Sequence, residues 1–371
     1  MAGGSTGRPR VVCAPNAFKG TLSAAGAAHA LARGVSDAGA VAASIAVADG
    51  GDGTLDVLLA AAGPAARVQR VRVTGPVGRH RLARLGWVDA DVAVVEMAEA
   101  VGLRLLRARR DPMGVSSHGA GELIVAALEA GARRVIVGVG GSASTDGGAG
   151  ILTALGARLL DRAGRPVGRG GGALLSVATV DLSGVDLRLR TTEIDVAVDV
   201  RSPLFGPDGA AHVFAAQKGA DSVQTRTLDA GLRHLGRLVE EAAGMPGLAE
   251  RPGAGAAGGA GFALGALGAR LLGGAALICD LVRLDEALVG AALVITGEGR
   301  LDAQTAAGKA PAEVAARAAR AGVPCVAICG SVGGGTDLFT ATIALDQMGP
   351  DPERRVRALL RRAAVRAVRR T

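Results

Sequence analysis

Three glycine-rich loops in this sequence gather carboxylates and cations. The first, ADGGDGT (Ala48 to Thr54), sets Asp49 and Asp52 around two glycines directly after an apolar run. Two carboxylates on such a turn can hold a magnesium ion or take up a proton; the alternative is a tight turn with a helix N-cap at Asp52 or Thr54. The second, GVGGSASTDGGAG (Gly138 to Gly150), contains Gly140, Gly141, Ser142, Asp146, Gly147 and Gly148 and follows the apolar run RRVIV. Backbone N–H groups converging at the head of a following helix favour an anion, and the spacing matches neither the dinucleotide fingerprint nor a Walker loop. The third, ITGEGRLDAQTAAGKAP (Ile295 to Pro311), crowds Glu298, Arg300, Asp302, Gln304 and Lys309 at a strand end. A carboxylate there can accept a hydroxyl proton while Arg300 or Lys309 neutralises a substrate carboxylate or a transferring phosphoryl group; an internal ion-pair network is the alternative.

Lysine usage sharpens this picture. Among 42 basic residues only Lys19, Lys218 and Lys309 are lysine, and each adjoins glycine, in NAFKG, AQKGA and AGKAP. A compact ammonium approaches a phosphate where a planar guanidinium does not fit, so these three positions are candidates for anion contacts. The five histidines are scattered without metal-ligand spacing, and neither a GxSxG elbow nor a Cys/His/Asn order occurs, which argues against zinc and hydrolase chemistry. His118, in GVSSHGAGELI, reads as part of a capping loop before a helix, with substrate contact as the alternative.

The elements that must position these groups alternate. Val11 to Ala14, Leu22 to Gly34, Ser44 to Ala48 and Leu55 to Ala62 read as a βαβα opening on a parallel sheet. From Ala66 to Glu96 three strand-like runs separated by turns suggest antiparallel pairing and the start of a second domain. Helix–strand alternation resumes with a helix at Gly121 to Ala130, a strand at Arg134 to Gly140, a helix through Ile151 to Leu160 and a strand near Ile194 to Val200. Arg251 to Gly261 is too rich in glycine for a helix interior and reads as a loop beside a ligand. Strands at Ala292 to Thr296, Pro324 to Cys329 and Thr342 to Leu345, with a helix at Pro311 to Ala321, return to the parallel pattern. The expected architecture is α/β: a Rossmann-like parallel-sheet domain of residues 1–65 and 285–371, with 112–180 as a further candidate part of it, and an inserted mixed-sheet α/β domain of residues 66–284.

Composition removes several classes. Hydrophobic residues are 49% and charged residues 20%, which excludes a disordered chain. Aromatics are 2%, with no tyrosine and one tryptophan, so a base-stacking platform for nucleic acid has no material. The net charge of +8 suits an anionic metabolite. The arginine-rich segment Arg354 to Arg370 spaces Val356, Leu359, Leu360, Ala363 and Val365 along one face of a terminal helix. Cys13, Cys279, Cys325 and Cys329 sit in apolar runs that read as buried strands, reduced and without metal spacing. No signal segment or membrane span is evident, so a cytoplasmic protein is expected.

At these loops the sequence resembles the class I glycerate kinase family. The resemblance rests on APNAFKGTLSA, ADGGDGT, VEMAEAVGL, VSSHGAGELI, GGSASTDGGAGILTALGARLLD, FAAQKGAD, PGAGAAGG and TGEGRLDAQTAAGKAP, which occur in the family's order across residues 10–330. It implies transfer of the ATP γ-phosphoryl group to D-glycerate with Mg2+, giving 2-phosphoglycerate, and two domains with the ligand cleft between them. It further implies catalytic roles for Asp49, Asp199, Lys19, Glu298, Arg300 and Asp302, with Asp49, Asp52 and Asp199 as magnesium ligands. Nucleotide contacts would come from Gly140, Gly141, Ser142, Asp146, Gly147, Gly148, Gly255, Gly258 and Lys309, and substrate contacts from Asn16, Lys218 and Gln304. The family usually has Asp at Asn16, commonly Glu at Asp52 and often Asn at Ser144 or Thr145, and the region after Gly335 is short. Asn16 keeps a hydrogen-bonding oxygen but loses the charge, so retained yet altered activity is expected. The alternatives are a kinase for a related small hydroxy acid, a 3-phosphoglycerate product, a non-catalytic ligand-binding homologue, or an oxidoreductase, the last lacking its GxGxxG. A monomer or homodimer without nucleic-acid or membrane partners is expected.

Overall fold

The computed structural model describes residues 8–106, 110–302, 305, 308–349 and 351–370. The chain divides into two compact units, one of Met1–Asp49, Asp56–Ala61 and Gly274–Thr371, the other of Gly50–Leu55 and Ala62–Gly273.

The first unit is built on a five-stranded sheet in the order Ala341–Ala344, Cys325–Cys329, Leu293–Gly297, Arg10–Pro15, Val41–Ser44. All pairings are parallel. Every residue of Leu293–Gly297 and Cys325–Cys329 is buried, the unbroken apolar run of a parallel strand covered on both faces. Helix Ala24–Asp37 starts at Ser23, whose hydroxyl accepts from the Gly26 N–H, and buries Ala27, Leu31 and Val35. The last helix, Val356–Val368, lays Val356, Leu359, Leu360 and Ala363 into the same core. Gly34 lies where the two helices meet, and any side chain there would strike the Arg361 backbone. Arg361 pairs with Asp37 across this contact. Val365 is only half-buried, while Ala364 and Ala367 are covered.

The second unit carries a mixed six-stranded sheet in the order Arg270–Gly273, Glu193–Val198, Arg134–Gly138, Val92–Glu96, His80–Trp87, Arg67–Thr74. The first four run parallel, and the last three pair antiparallel as their spacing predicted. Residues 112–180 lie in this unit, with Arg134–Gly138 in the middle of its sheet. Trp87, Met97, Leu123, Ile124 and Ile151 fill its core.

Some local expectations need correction. The predicted helix through Leu160 ends at Ala154, because Gly156 takes a left-handed φ of 101° and the chain leaves as the strand Arg158–Leu160, which pairs with Thr179–Asp181. The second strand is Val41–Ser44 rather than Ser44 to Ala48; beyond it the Ile45 and Val47 N–H groups still reach Cys13 and Pro15 carbonyls. Cys279 is buried in the helix Gly274–Leu281, not in a strand, while Cys13, Cys325 and Cys329 are in strands as expected. The Arg251 to Gly261 segment holds a 3-10 turn at Ala256–Gly258 and the first residues of the helix Ala260–Ala266. Among the described residues no helix is long and apolar enough to cross a membrane.

Candidate active site

Two clusters of functional side chains form, one in each unit, both at the carboxyl ends of parallel strands where open α/β sheets bind ligands. In the first unit the register pairs Pro15 with Gly297, so the next residues, Asn16 and Glu298, leave the sheet edge as neighbours. Asn16 is buried; its N–H donates to the Gly297 carbonyl at 2.8 Å, its Oδ1 accepts from the Ala17 N–H at 2.7 Å, and its Nδ2 lies 3.4 Å from Asp49 Oδ2. Glu298 is buried too, and Oε1 accepts from the Thr305 hydroxyl at 2.6 Å. That hydroxyl accepts in turn from the Asp302 N–H at 3.1 Å. Burial holds the Glu298 carboxyl above the ordinary glutamate range; Thr305 and Lys309 oppose this, and the charges of Asp49 and Asp302 reinforce it.

Around this core the cations differ. Lys309 is half-buried immediately before the helix Ala310–Arg320. Lys19 is exposed, on a turn whose backbone passes close to Gly299. The Arg300 guanidinium is exposed and lies over Gly333. Gln304 lies outside the described residues.

In the second unit the Gly50–Leu55 loop is held by Glu96, which the sequence reading missed. Its carboxylate accepts from the N–H groups of Gly53 at 3.1 Å and Leu55 at 3.0 Å, at the start of the helix Thr54–Ala62. Burial raises its pKa to about 7 against the pull of those two donors, with Asp52 and Glu99 adding repulsion. Glu96 shares with Asp49 its place after an apolar run but not the flanking glycines that singled Asp49 out. A charge relay starts from exposed Asp52: Arg104 lies 3.7 Å from it and 2.8 Å from Glu99, and Glu99 pairs with Arg84 at 3.0 Å. Burial works against ionising Glu99, but the two arginines hold its carboxyl below the usual range. Gly140 sits so close to the Gly51 backbone that no side chain fits, and its N–H donates to the Gly50 carbonyl at 3.0 Å. A side chain on Gly141 would meet the Asp52 carboxylate.

Asp146 organises the second loop from inside. Its buried carboxylate accepts from the Ser117 N–H at 2.8 Å and hydroxyl at 2.9 Å, and from the Gly148 and Gly150 N–H groups at 3.2 Å each. The Gly147 N–H donates to the Gly258 carbonyl at 2.8 Å, and the Gly255 N–H to the Ser202 carbonyl at 2.9 Å, so these glycines join two loops in close backbone packing. Lys218 is buried beneath them. Its ammonium donates to the Ser144 carbonyl at 2.5 Å and lies 3.5 Å from the Ser142 hydroxyl. Burial lowers its pKa to about 8, and the Asp146 charge partly opposes that. Among the described residues, the buried hydroxyls of Ser144 and Thr145 have no partner. Asp199 is exposed just past the strand Glu193–Val198. His118 begins the helix His118–Glu129, its ring 3.3 Å from the Thr153 hydroxyl and 3.7 Å from Glu122.

The first cluster can accept a proton and attract a cation; the second is organised around a buried ammonium and polar donors. Among the described residues no three His, Cys, Asp or Glu side chains converge as a preformed metal site.

Comparison with known proteins agrees with this chemistry. The family model described as "Glycerate kinase family" matches residues 11–359. A glycerate kinase of Bacillus subtilis (strain 168) is 45% identical over 328 residues, 87% of this chain and 85% of that protein. A glycerate 2-kinase of Escherichia coli (strain K12) is 43% identical over 328 residues, with the same shares of 87% and 85%. The crystal structure of a protein assigned as glycerate kinase 2 from Salmonella typhimurium LT2 superposes with a TM-score of 0.86 at 39% identity, covering 98% of each chain. With most of its length matched at these identities, the chain belongs to the glycerate kinase family.

Proposed function

We propose that the protein transfers the γ-phosphoryl group of ATP to D-glycerate and releases 2-phosphoglycerate. The observation that carries this reading is the buried Glu298, held by Thr305 beside Asp49 and Asp302 with Lys309 nearby. A buried carboxyl group held above the ordinary glutamate range is suited to receive the substrate's hydroxyl proton, and Lys309, Arg300 and Lys19 supply positive charge for carboxylate and phosphate oxygens. Asp302 shapes the Thr305 turn. Phosphoryl transfer needs little covalent help, so positioning and charge neutralisation dominate.

Magnesium requires only one or two protein carboxylates when it arrives with a nucleotide, and Asp49 in the first unit, or Asp52 and Asp199 in the second, are of the right chemistry. Bound there, the ion would neutralise phosphate charge. Lys218 and the loop it supports serve the anionic ligand in the second unit. The four buried, unpaired cysteines fit a reducing compartment, which makes the cytoplasm the proposed location.

The test is ADP release by purified protein with ATP, magnesium and D-glycerate, against mixtures lacking each component, with the product identified by NMR. Glycerate-dependent turnover to the 2-phosphate is expected. A 3-phosphate product would overturn the regiochemistry, and ATP consumption indifferent to glycerate would overturn the substrate.

Asn16 refines the reading. Asn16→Asp places a second carboxylate against Asp49 and near Glu298, and like charges raise one another's pKa. The acid limb of the kcat/KM–pH profile is expected to move up by about one unit, and the magnesium concentration for half-maximal activity to fall. An unmoved limb and an unchanged magnesium dependence would remove Asn16 from the reacting cluster.

A further inference from the structure

The second unit contains an open cavity of about 1290 Å³ whose charged lining among the described residues is almost entirely positive: Arg79, Arg81, Arg104 and Arg110, with His80, against the one carboxylate of Asp111. Asp111 is already engaged, accepting from the Gly114 N–H at 2.9 Å. Arg104 is tied to Glu99 and Asp52, and Arg110 donates to the Gln217 carbonyl at 2.6 Å. Among the described residues, no carboxylate pairs with Arg79 or Arg81. Nη1 of Arg81 is buried and, among the described residues, has no acceptor. A buried cationic donor without an acceptor is costly and signals a missing anion.

The neighbours say which anion. Arg110 packs against Gly219, the residue after buried Lys218, and Arg104 reaches Asp52, so the cavity wall borders both. Pockets for drug-sized ligands measure about 300–1,000 Å³, far more than a three-carbon acid fills. Pro76, Leu105 and Leu106 add an apolar wall on which a base and ribose can lie. The N–H groups of Gly140, Gly147, Gly148 and Gly150 are already donating within the protein, which leaves the arginines as the stronger unspent phosphate donors.

We infer that this arginine-lined cavity binds the phosphate tail of the nucleoside triphosphate, with the half-buried Arg81 as its anchor through Nη1. The inference rests on the reading of ATP as phosphoryl donor. That reading is tested separately by glycerate-dependent ADP release from the unaltered protein.

Arg81→Met in the full chain is expected to raise KM for ATP about tenfold or more, the loss of one charge-assisted contact, while kcat and KM for glycerate stay within about twofold. Calorimetric binding of tripolyphosphate should weaken by a similar factor. Arg79 is exposed at the same wall, so Arg79→Gln cannot damage a core and serves if Arg81→Met melts early; about threefold in the same direction is expected. Unchanged KM for ATP with unchanged tripolyphosphate binding overturns the inference. So does a selective rise in KM for glycerate, or a loss of inhibition by 2-phosphoglycerate alone, which would assign the cavity to substrate or product.

Discussion

Lys218→Met is expected to lower kcat/KM by about a hundredfold or more with little loss of stability at pH 7, an effect of the size seen when one preorganised donor is removed from a reacting site. The two parts of this expectation have separate causes. A buried ammonium whose pKa falls from 10.5 to about 8 costs the folded state about 3 kcal/mol while it is charged. Methionine removes that cost but leaves the Ser144 carbonyl without its donor, a loss of about 1–3 kcal/mol. The terms nearly cancel, so a large fall in activity without a fall in melting temperature would mark a residue kept for function.

The pH dependence follows from the same shift. Below pH 8 the lysine is protonated in both states and its cost is fully present. Between about 8 and 10.5 the unfolded chain binds more protons, so the unaltered protein gains stability relative to Lys218→Met as pH rises. The four buried thiols act oppositely above pH 9, since their pKa values rise to about 12 on burial, but both proteins share them and the difference cancels. Denaturant titrations of the two proteins from pH 7 to 10.5 measure this difference. A flat difference would show that the ammonium is not desolvated, and normal kinetics in the methionine variant would remove Lys218 from ligand binding.

Glu298→Gln is expected to reduce kcat by about 10²–10⁴-fold with a much smaller change in KM for glycerate, the range for loss of a general base. Glutamine still accepts from the Thr305 hydroxyl, so the loop should keep its shape. Raised by burial, the Glu298 carboxyl favours its protonated form in the folded state. Its ionisation therefore costs stability as pH climbs through the raised pKa, and the glutamine variant should lose no stability at neutral pH. The acid limb of the kcat–pH profile should vanish with the variant. Retention of more than about a tenth of kcat, with the limb intact, would place the proton acceptor elsewhere.

Much of this chemistry could be read along the chain, because its signals are local. Glu298 and the Gly138 to Gly150 loop each follow a buried strand, Asp49 closes an apolar run that continues past the strand Val41–Ser44, and the sheet edge follows from parallel pairing. Glycine beside each lysine singled out three segments alike, and it did not distinguish exposed Lys19 and half-buried Lys309 from Lys218, which is buried. That difference depends on what packs above a residue. The glycines of the second loop looked like a phosphate cradle in sequence, whereas the N–H groups of Gly147, Gly148 and Gly150 are used on Asp146 and the facing Gly258 backbone, and that of Gly140 on the Gly50 carbonyl.

The sequence by itself determined the α/β alternation, the antiparallel run from Arg67 to Glu96, the reduced cysteines and the family motifs, since periodicity, glycine and short motifs act over a few residues. Only the tertiary structure decided which groups share a site. Pairing of Pro15 with Gly297 makes neighbours of Asn16 and Glu298, and Glu96 clamps a loop whose Leu55 lies 41 residues earlier in the chain. It also left Nη1 of Arg81 buried without an acceptor among the described residues, beside other arginines. Burial and electrostatic proximity are properties of atoms brought together across the chain, and no local pattern of residue types encodes them.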